Sequence, residues 1–285
     1  MKTIIVPLDF SKESLTGLNL ALMIANKTGA NIQMVHIVDG NNRTSNELHT
    51  IERQHSEMKF EAILRKYKTK SKQNFAMSYL IKEGKIFKEI TKLTEKLENA
   101  LIVLSTHGES GFEELFIGGN AYKIASNSKI PVITVRKCKI ASNFNKIVLP
   151  LDNSLETREK VPYTVKLAKL FNSEIHLITV KQTNSKSIEN KLYHYAEQVA
   201  SYIKDQKIPC KVKHLMSGNL TDLILEYSQS VNADLISIMT EQDTNASNLL
   251  LGSNAHQMIN KSNIPVLLSP TYKLSKTIEG FRTMG

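Results

Sequence analysis

Directly after the apolar run Leu101-Ile102-Val103-Leu104 the chain reads Ser105-Thr106-His107-Gly108-Glu109-Ser110-Gly111, and a Gly118-Gly119 pair follows a few residues later. Glycines just past a buried strand let backbone N–H groups come close to an anion. A glycine turn that opens a helix adds the positive end of the helix dipole. That combination suits a polyphosphate. A carboxylate is the second candidate: Asp9 follows Ile4-Ile5-Val6-Pro7-Leu8, and Asp152 follows Ile147-Val148-Leu149-Pro150-Leu151. At a strand end beside a helix start, such a group can accept a hydrogen bond from a ligand hydroxyl or amine. It can equally cap the helix together with Ser11, and the sequence leaves both roles open. His107 has no nucleophile or paired base at a recognisable spacing, so a loop histidine bonding backbone or ligand is the simpler reading than an acid–base catalyst. The other histidines (36, 49, 55, 176, 194, 214 and 256) are dispersed and show no metal spacing. Neither a Walker A run nor a G-x-G-x-x-G occurs, which argues against P-loop ATPases and dinucleotide oxidoreductases.

The two aspartates belong to a repeat. Asp152 lies 143 residues after Asp9, and Leu115 to Val132 recurs as Leu249 to Val266 at an offset of 134. The second copy is therefore nine residues shorter between its first strand and its middle. A unit of this length is a domain, far beyond the roughly 20–50 residues of a solenoid repeat. The 285 residues agree, because about 100–200 residues per domain gives two. We expect domains at residues 1–137 and 144–270, with a tail over 271–285.

Composition narrows the class. The net charge is +10 and the pI near 9.4, but the lysines are scattered, with no aromatic-and-basic cluster, zinc-finger spacing or helix-turn-helix pattern, so no nucleic-acid partner is expected. Two cysteines, Cys138 and Cys210, without C-x-x-C spacing indicate neither a disulfide framework nor a zinc site. The first apolar stretch is short and broken by Pro7 and Asp9, and no run reaches membrane-spanning length. A cytoplasmic protein without a membrane partner is the expectation.

The elements that must position these residues alternate strand and helix. Ile4–Leu8 is continuously apolar, as a strand covered on both faces requires. Ser11 offers an N-cap hydroxyl, Leu15, Leu18, Leu22 and Ala25 lay down a helical stripe, and Gly29 closes the helix. Ile32–Val38 is the second strand. A long helix over about 48–68 is expected to turn Leu48, Ile51, His55 and Met58 to one side. Strand Phe75–Ile81, helix Ile86–Leu97, strand Leu101–Ser105, helix Asn120–Ser128 and strand Pro131–Val135 complete the first half. The second half repeats the order, with a helix stripe of Leu192, Tyr195, Val199 and Tyr202. Pro162 falls where the first half has Asn19 in mid-helix, which predicts a kink or a late helix start. Strand–helix alternation demands a parallel sheet with right-handed crossovers. Each half is thus an α/β domain, giving two tandem doubly wound parallel five-stranded sheets. Ligands of such sheets sit beyond the carboxyl ends of the strands, where the winding reverses. That rule selects the loops after Leu8, Ile37 and Leu104. The fifth strands, Pro131–Val135 and Pro265–Ser269, are apolar edges that would be a liability if bare.

The arrangement resembles the universal stress protein family in its tandem two-domain form. The residues that carry the resemblance are Ile4 to Ser11, His36-Ile37-Val38, Leu101 to Gly108, and Gly118 through Pro131-Val132. It implies a Rossmann-like fold of the adenine nucleotide alpha hydrolase type. It also implies antiparallel pairing of the two fifth strands across an internal pseudo-twofold axis, an internal pseudo-dimer that is open to pairing with a second copy. Nucleotide-binding members share Gly, two residues, Gly, nine residues, Gly, then Ser or Thr. By position these places fall on Ser105, Gly108, Gly118 and Gly119, so two of the four match. The resemblance further places Asp9 and Ile37 along ribose and adenine, and His107, Gly108, Gly118, Gly119 and Asn120 along the phosphates. ATP or another adenine nucleotide, with Mg, is the implied cofactor. In the second copy the loop reads Met239-Thr240-Glu241-Gln242-Asp243, which loses the loop glycine and brings two carboxylates to the phosphate position, where like charge disfavours an anion. The expected function is a stress-response binding and regulatory module with an adenine nucleotide site in domain 1 and none in domain 2. A nucleotide-free interaction scaffold and a slow ATP hydrolase using the His107 loop are the alternatives.

Overall fold

In the computed structural model, the described residues are 1–38, 46–68, 75–97, 99–106, 118–136, 140–152, 156–181, 185–216, 218–240 and 251–270. His107, Gly108, Cys138, Glu241, Gln242, Asp243 and the tail 271–285 lie outside them.

The first half runs β1 (Thr3–Pro7), α1 (Lys12–Thr28), β2 (Asn31–Val38), α2 (Asn46–Lys68), β3 (Met77–Glu83), α3 (Ile86–Thr94), β4 (Ala100–Ser105), α4 (Gly119–Asn127) and β5 (Val132–Val135). The second runs β6 (Lys146–Leu151), α5 (Val161–Phe171), β7 (Glu174–Val180), α6 (Lys186–Asp205), β8 (Cys210–Leu215), α7 (Leu220–Ser230), β9 (Leu235–Thr240), α8 (Ser253–Lys261) and β10 (Val266–Pro270).

All ten strands join one sheet in the order β3-β2-β1-β4-β5-β10-β9-β6-β7-β8. Pairing is parallel within each half. At the seam β5 meets β10 antiparallel, with Val132, Ile133 and Thr134 opposite Leu268, Leu267 and Val266. The two apolar edges thereby cover one another. Contacts beside the ladder tighten it: Tyr122 Oη receives the Leu251 N–H at 3.1 Å, and the Arg136 guanidinium donates to the Asn260 carbonyl.

Strand alternation sorts the core into two layers. Ile4 and Val6 pack with Leu18 and Ile24 of α1 and Phe60 of α2, whereas Ile5 packs with Ile90 of α3 and Ile124 of α4. Both layers continue into the second half, through Leu149 and Phe171 on one face and Val148 and Met258 on the other. Each such side chain withdrawn from water contributes about 1.5–3 kcal/mol.

Helix ends follow their residues. The Ser11 hydroxyl accepts the Ser14 N–H at 3.0 Å, and Gly29, at φ 70°, returns its N–H to the Ala25 carbonyl at 2.8 Å. Pro162 produces a late start: a 3-10 turn, Glu156–Arg158, precedes α5, and the proline sits in its first turn, where a missing N–H costs no helix bond. Two bounds and one helix face differ from expectation. β3 sits two residues later, α3 ends at Thr94, and α2 turns a different side inward. Ile51 and Met58 are 59% and 61% exposed, while Phe60 and Tyr67 are buried. Tyr67 also donates its hydroxyl proton to Asn19 on α1 at 2.9 Å, so α2 packs through its second half.

One buried polar cluster makes the fold pH-sensitive. His176 on β7 lies 2.6 Å from Glu174 and shares a 2.8 Å hydrogen bond with the Tyr227 hydroxyl, and Lys211 reaches Glu174 at 2.9 Å. Burial holds the His176 imidazole below its ordinary value, outweighing the nearby carboxylate. The Lys211 hydrogen bond holds Glu174 below its own. Both groups take up protons more readily unfolded, so both withdraw stability as pH falls, His176 first. The melting temperature should therefore drop between about pH 7.5 and 5.5, and His176→Gln should flatten that drop. An unchanged pH profile in the variant would show that the cluster is not responsible.

Candidate functional site

At the winding reversal between β1 and β4 the first half opens a cleft of about 290 Å³. Its position follows from the ladder: β1 pairs with β4 over Thr3–Ile5 but with β2 as far as Pro7. The floor is made by the carboxyl ends of β1, β2 and β4, and the far wall by the start of α4. Asp9, Ile37, Ser105, Gly118, Gly119 and Asn120 all line this one cleft, although they come from three widely separated stretches of sequence.

The cleft lining has two chemically distinct parts. Ile37, Val35, Leu8, Ile86, Leu104 and Ile124 give the lining its aliphatic part. Its polar part includes the N-terminus of α4, capped by Gly118 without any side-chain hydrogen bond. The Gly118 N–H itself is spent on the Thr106 carbonyl at 2.7 Å, and the Gly118 carbonyl receives Tyr122 N–H. Helix geometry leaves the N–H groups of Gly119, Asn120 and Ala121 without intrahelical acceptors. They add their dipoles to a partial positive charge at the cleft.

Asp9 is held by the entrance of α1. Its Oδ1 accepts the Ser11 N–H at 3.0 Å and the Ser11 hydroxyl at 2.6 Å. The capping role open in the sequence is thus present, in a residue that also lines the cleft. The tight turn puts Phe10 at φ 68°, a left-handed conformation costing roughly 1–2 kcal/mol for a side-chain-bearing residue. Phe10 gains it back by packing its ring 4.6 Å from His36 and 5.0 Å from Phe60. His36 in turn contacts the Leu8 carbonyl through Nδ1 at 2.7 Å. This histidine ties β2 to the end of β1 and so supports the loop that carries Asp9.

The second half has a much smaller cleft of about 40 Å³ in the same place, lined by Asp152, Thr221, Met239 and Asn254 among others. Lys160 lines it, buried at 3% exposure, and its ammonium donates to the Thr157 hydroxyl at 2.9 Å. Sequence reasoning argued from the charge of Glu241 and Asp243, which lie outside the described residues, and did not single out Lys160. The signal was available, because Lys160 stands 143 positions after Gly17, the same offset that relates the aspartates. Gly17 lets α1 lie against the end of β4: a Cβ there would meet Ser105 N at 3.4 Å and the Leu104 backbone just beyond. Where lysine replaces that glycine, the helix starts late and the side chain lines the smaller cleft. Among the described residues no group of three or more His, Cys, Asp or Glu is placed to hold a metal ion. No helix among them is long and apolar enough to cross a membrane.

Comparison with known proteins agrees with this architecture. The model of the universal stress protein family matches residues 1–136 and again 143–270. A universal stress protein of Synechocystis sp. is 22% identical over 291 residues, spanning 94% of this chain and 99% of its own. One from Methanocaldococcus jannaschii is 28% identical over 148 residues, 48% of this chain and 84% of its own. Among solved structures, a universal stress protein from Archaeoglobus fulgidus superposes with a TM-score of 0.76 at 20% identity, covering 94% of this chain and 96% of the other. At that identity the likeness concerns the fold.

The Gly17/Lys160 difference is testable by exchange. Gly17→Lys should lower the urea midpoint by an amount equivalent to about 1–3 kcal/mol, the usual cost of forcing side-chain atoms into packed space. A midpoint equal to that of the parent would mean that α1 does not need to approach β4 so closely.

Proposed function

Because the chain belongs to the universal stress protein family, we propose that residues 1–137 form a nucleotide-responsive regulatory domain, with residues 144–270 as its unliganded internal partner. The observation that carries this reading is the contrast between a cleft of about 290 Å³ in the first half and one of about 40 Å³, lined by a buried lysine, in the second. The ligand class follows from the two parts of the open cleft's lining. The aliphatic part around Ile37 suits a flat purine, whose faces gain from leaving water. The Asp9 carboxylate suits a ribose hydroxyl. The amides of Gly119 and Asn120 suit phosphate oxygens, and the family resemblance assigns His107 and Gly108, outside the described residues, to the same role. An adenine nucleotide such as ATP, its phosphates accompanied by Mg, meets all three requirements. Serine and glycine stand where nucleotide-binding members carry glycine and a hydroxyl, at Ser105 and Gly119, which favours a modest affinity. Binding rather than turnover is the favoured role: among the described residues His36 is the histidine that lines the cleft, and it is tied to the Leu8 carbonyl. Occupancy would then alter how this domain meets a partner during a stress response.

Calorimetric titration with ATP and Mg should give one site per chain, and heat-denatured protein should release any co-purified adenine nucleotide for identification. Gly118→Val should weaken binding at least tenfold, about 1.4 kcal/mol, because a Cβ at Gly118 already sits 3.2 Å from the Thr106 carbonyl. Gly119→Ser, with open space around its Cβ, should strengthen binding. Absence of both heat and released nucleotide would leave the scaffold reading, and steady phosphate release abolished by His107→Ala would establish the hydrolase.

A further inference from the structure

A second large cavity, of about 280 Å³, opens where the two halves meet. It lies at the amino ends of the first half's strands, the edge opposite to the nucleotide cleft. Asn99 and Ala100 enter β4 there, and Ile130 and Pro131 lead into β5; the first two turns of α5 form the other wall. Its volume is close to the lower end of ordinary small-molecule sites, about 300 Å³.

The lining is mostly apolar, through Ala100, Ile130, Pro131, Leu167 and Leu170. Polar groups interrupt it at Tyr163, at Lys166 and at Asn99, with the Met1 α-amine beside Lys166. The Tyr163 phenol lies in the cavity wall, and no described residue hydrogen-bonds to it. Burial raises the phenol above its ordinary value, so it remains a protonated donor. Tyr163 is only partly buried, so a ligand acceptor would take the place of water at its hydroxyl. Lys166 stands exposed at the rim, donating to Asn99 Oδ1 at 3.3 Å across the seam, and no acidic side chain among the described residues lines the cavity. The opening turn of α5 adds the positive end of its dipole.

We infer that this cavity is a second ligand site, shaped for a small amphiphile whose carboxylate head meets Tyr163 and Lys166 while its unbranched hydrocarbon chain lies along Leu167, Leu170 and Pro131. Because the walls come from both halves, such a ligand bridges them and stabilises their mutual position by linkage. The site is separate from the nucleotide cleft and does not depend on that cleft being occupied.

The test uses the full chain with octanoate, octanol and octylamine as probes, read by calorimetry and by the shift in melting temperature. Octanoate should bind saturably and raise the melting temperature, octanol should bind more weakly, and octylamine should bind least. Lys166→Glu should weaken octanoate roughly fivefold or more and narrow its advantage over octylamine, and Tyr163→Phe should weaken it severalfold. Leu170→Trp should fill the cavity and abolish binding while leaving the ATP titration as it was. If Leu170→Trp fails to fold, the decision rests on Lys166→Glu, an exposed site. No saturable octanoate binding, octylamine binding as tightly as octanoate, or a Lys166→Glu variant indistinguishable from the parent would each overturn the assignment.

Discussion

A parallel sheet made of continuously apolar strands has no face that can meet water, so everything else in this molecule follows from the need to cover it twice. Ile4, Val6 and Ile5 send their side chains to opposite layers, and each layer must be supplied by helices on the correct side. The crossovers that deliver those helices also reverse direction between β1 and β4. The reversal leaves a gap at the carboxyl ends of these strands that no helix fills. The site is thus a by-product of covering the sheet, and the residues around it decide how the gap is used.

The two copies show how little separates an open gap from a closed one. In the first, Ser11 caps α1 at once and Gly17 lets the helix lie on the β4 backbone. In the second, Pro162 delays the helix and the buried Lys160 lines the smaller cleft. The Asp9 and Asp152 strand ends are nearly the same sequence, and the glycine-capped helices α4 and α8 are alike in lacking a side-chain cap. The anion-favouring helix terminus therefore survives in both halves, while room for a ligand survives in one.

Most of the fold was legible because it rests on local patterns: β-branched apolar runs, Ser11 and Gly29 at helix ends, Pro162 too early in a helix. The seam was legible for a physical reason as well, since two apolar edge strands at corresponding places in a duplicated chain have an obvious remedy in each other. The inward side of α2 was not. Its sequence offers two stripes of similar quality, one through Ile51 and Met58 and one through Phe60 and Tyr67, and only the distance at which the helix meets the sheet selects between them. The gathering of the strand ends at Asp9 and Ile37 could be read from the topology rule for wound sheets, whereas Asn120 came only with the family resemblance. The bracing of that cleft, through His36 on the Leu8 carbonyl and Phe10 held left-handed against Phe60, could not, because these contacts join residues far apart in sequence.

The antiparallel ladder between β5 and β10 also has a consequence in time. Its two strands, residues 132–135 and 266–270, are separated by almost half the chain. During synthesis the first half emerges complete but for its neighbour, with Val132–Val135 facing solvent until the final strand leaves the ribosome. Such an edge invites pairing with any other unfinished chain nearby. On a crowded polysome, the interval between those two strands is when this protein is most exposed to aggregation and most dependent on a chaperone.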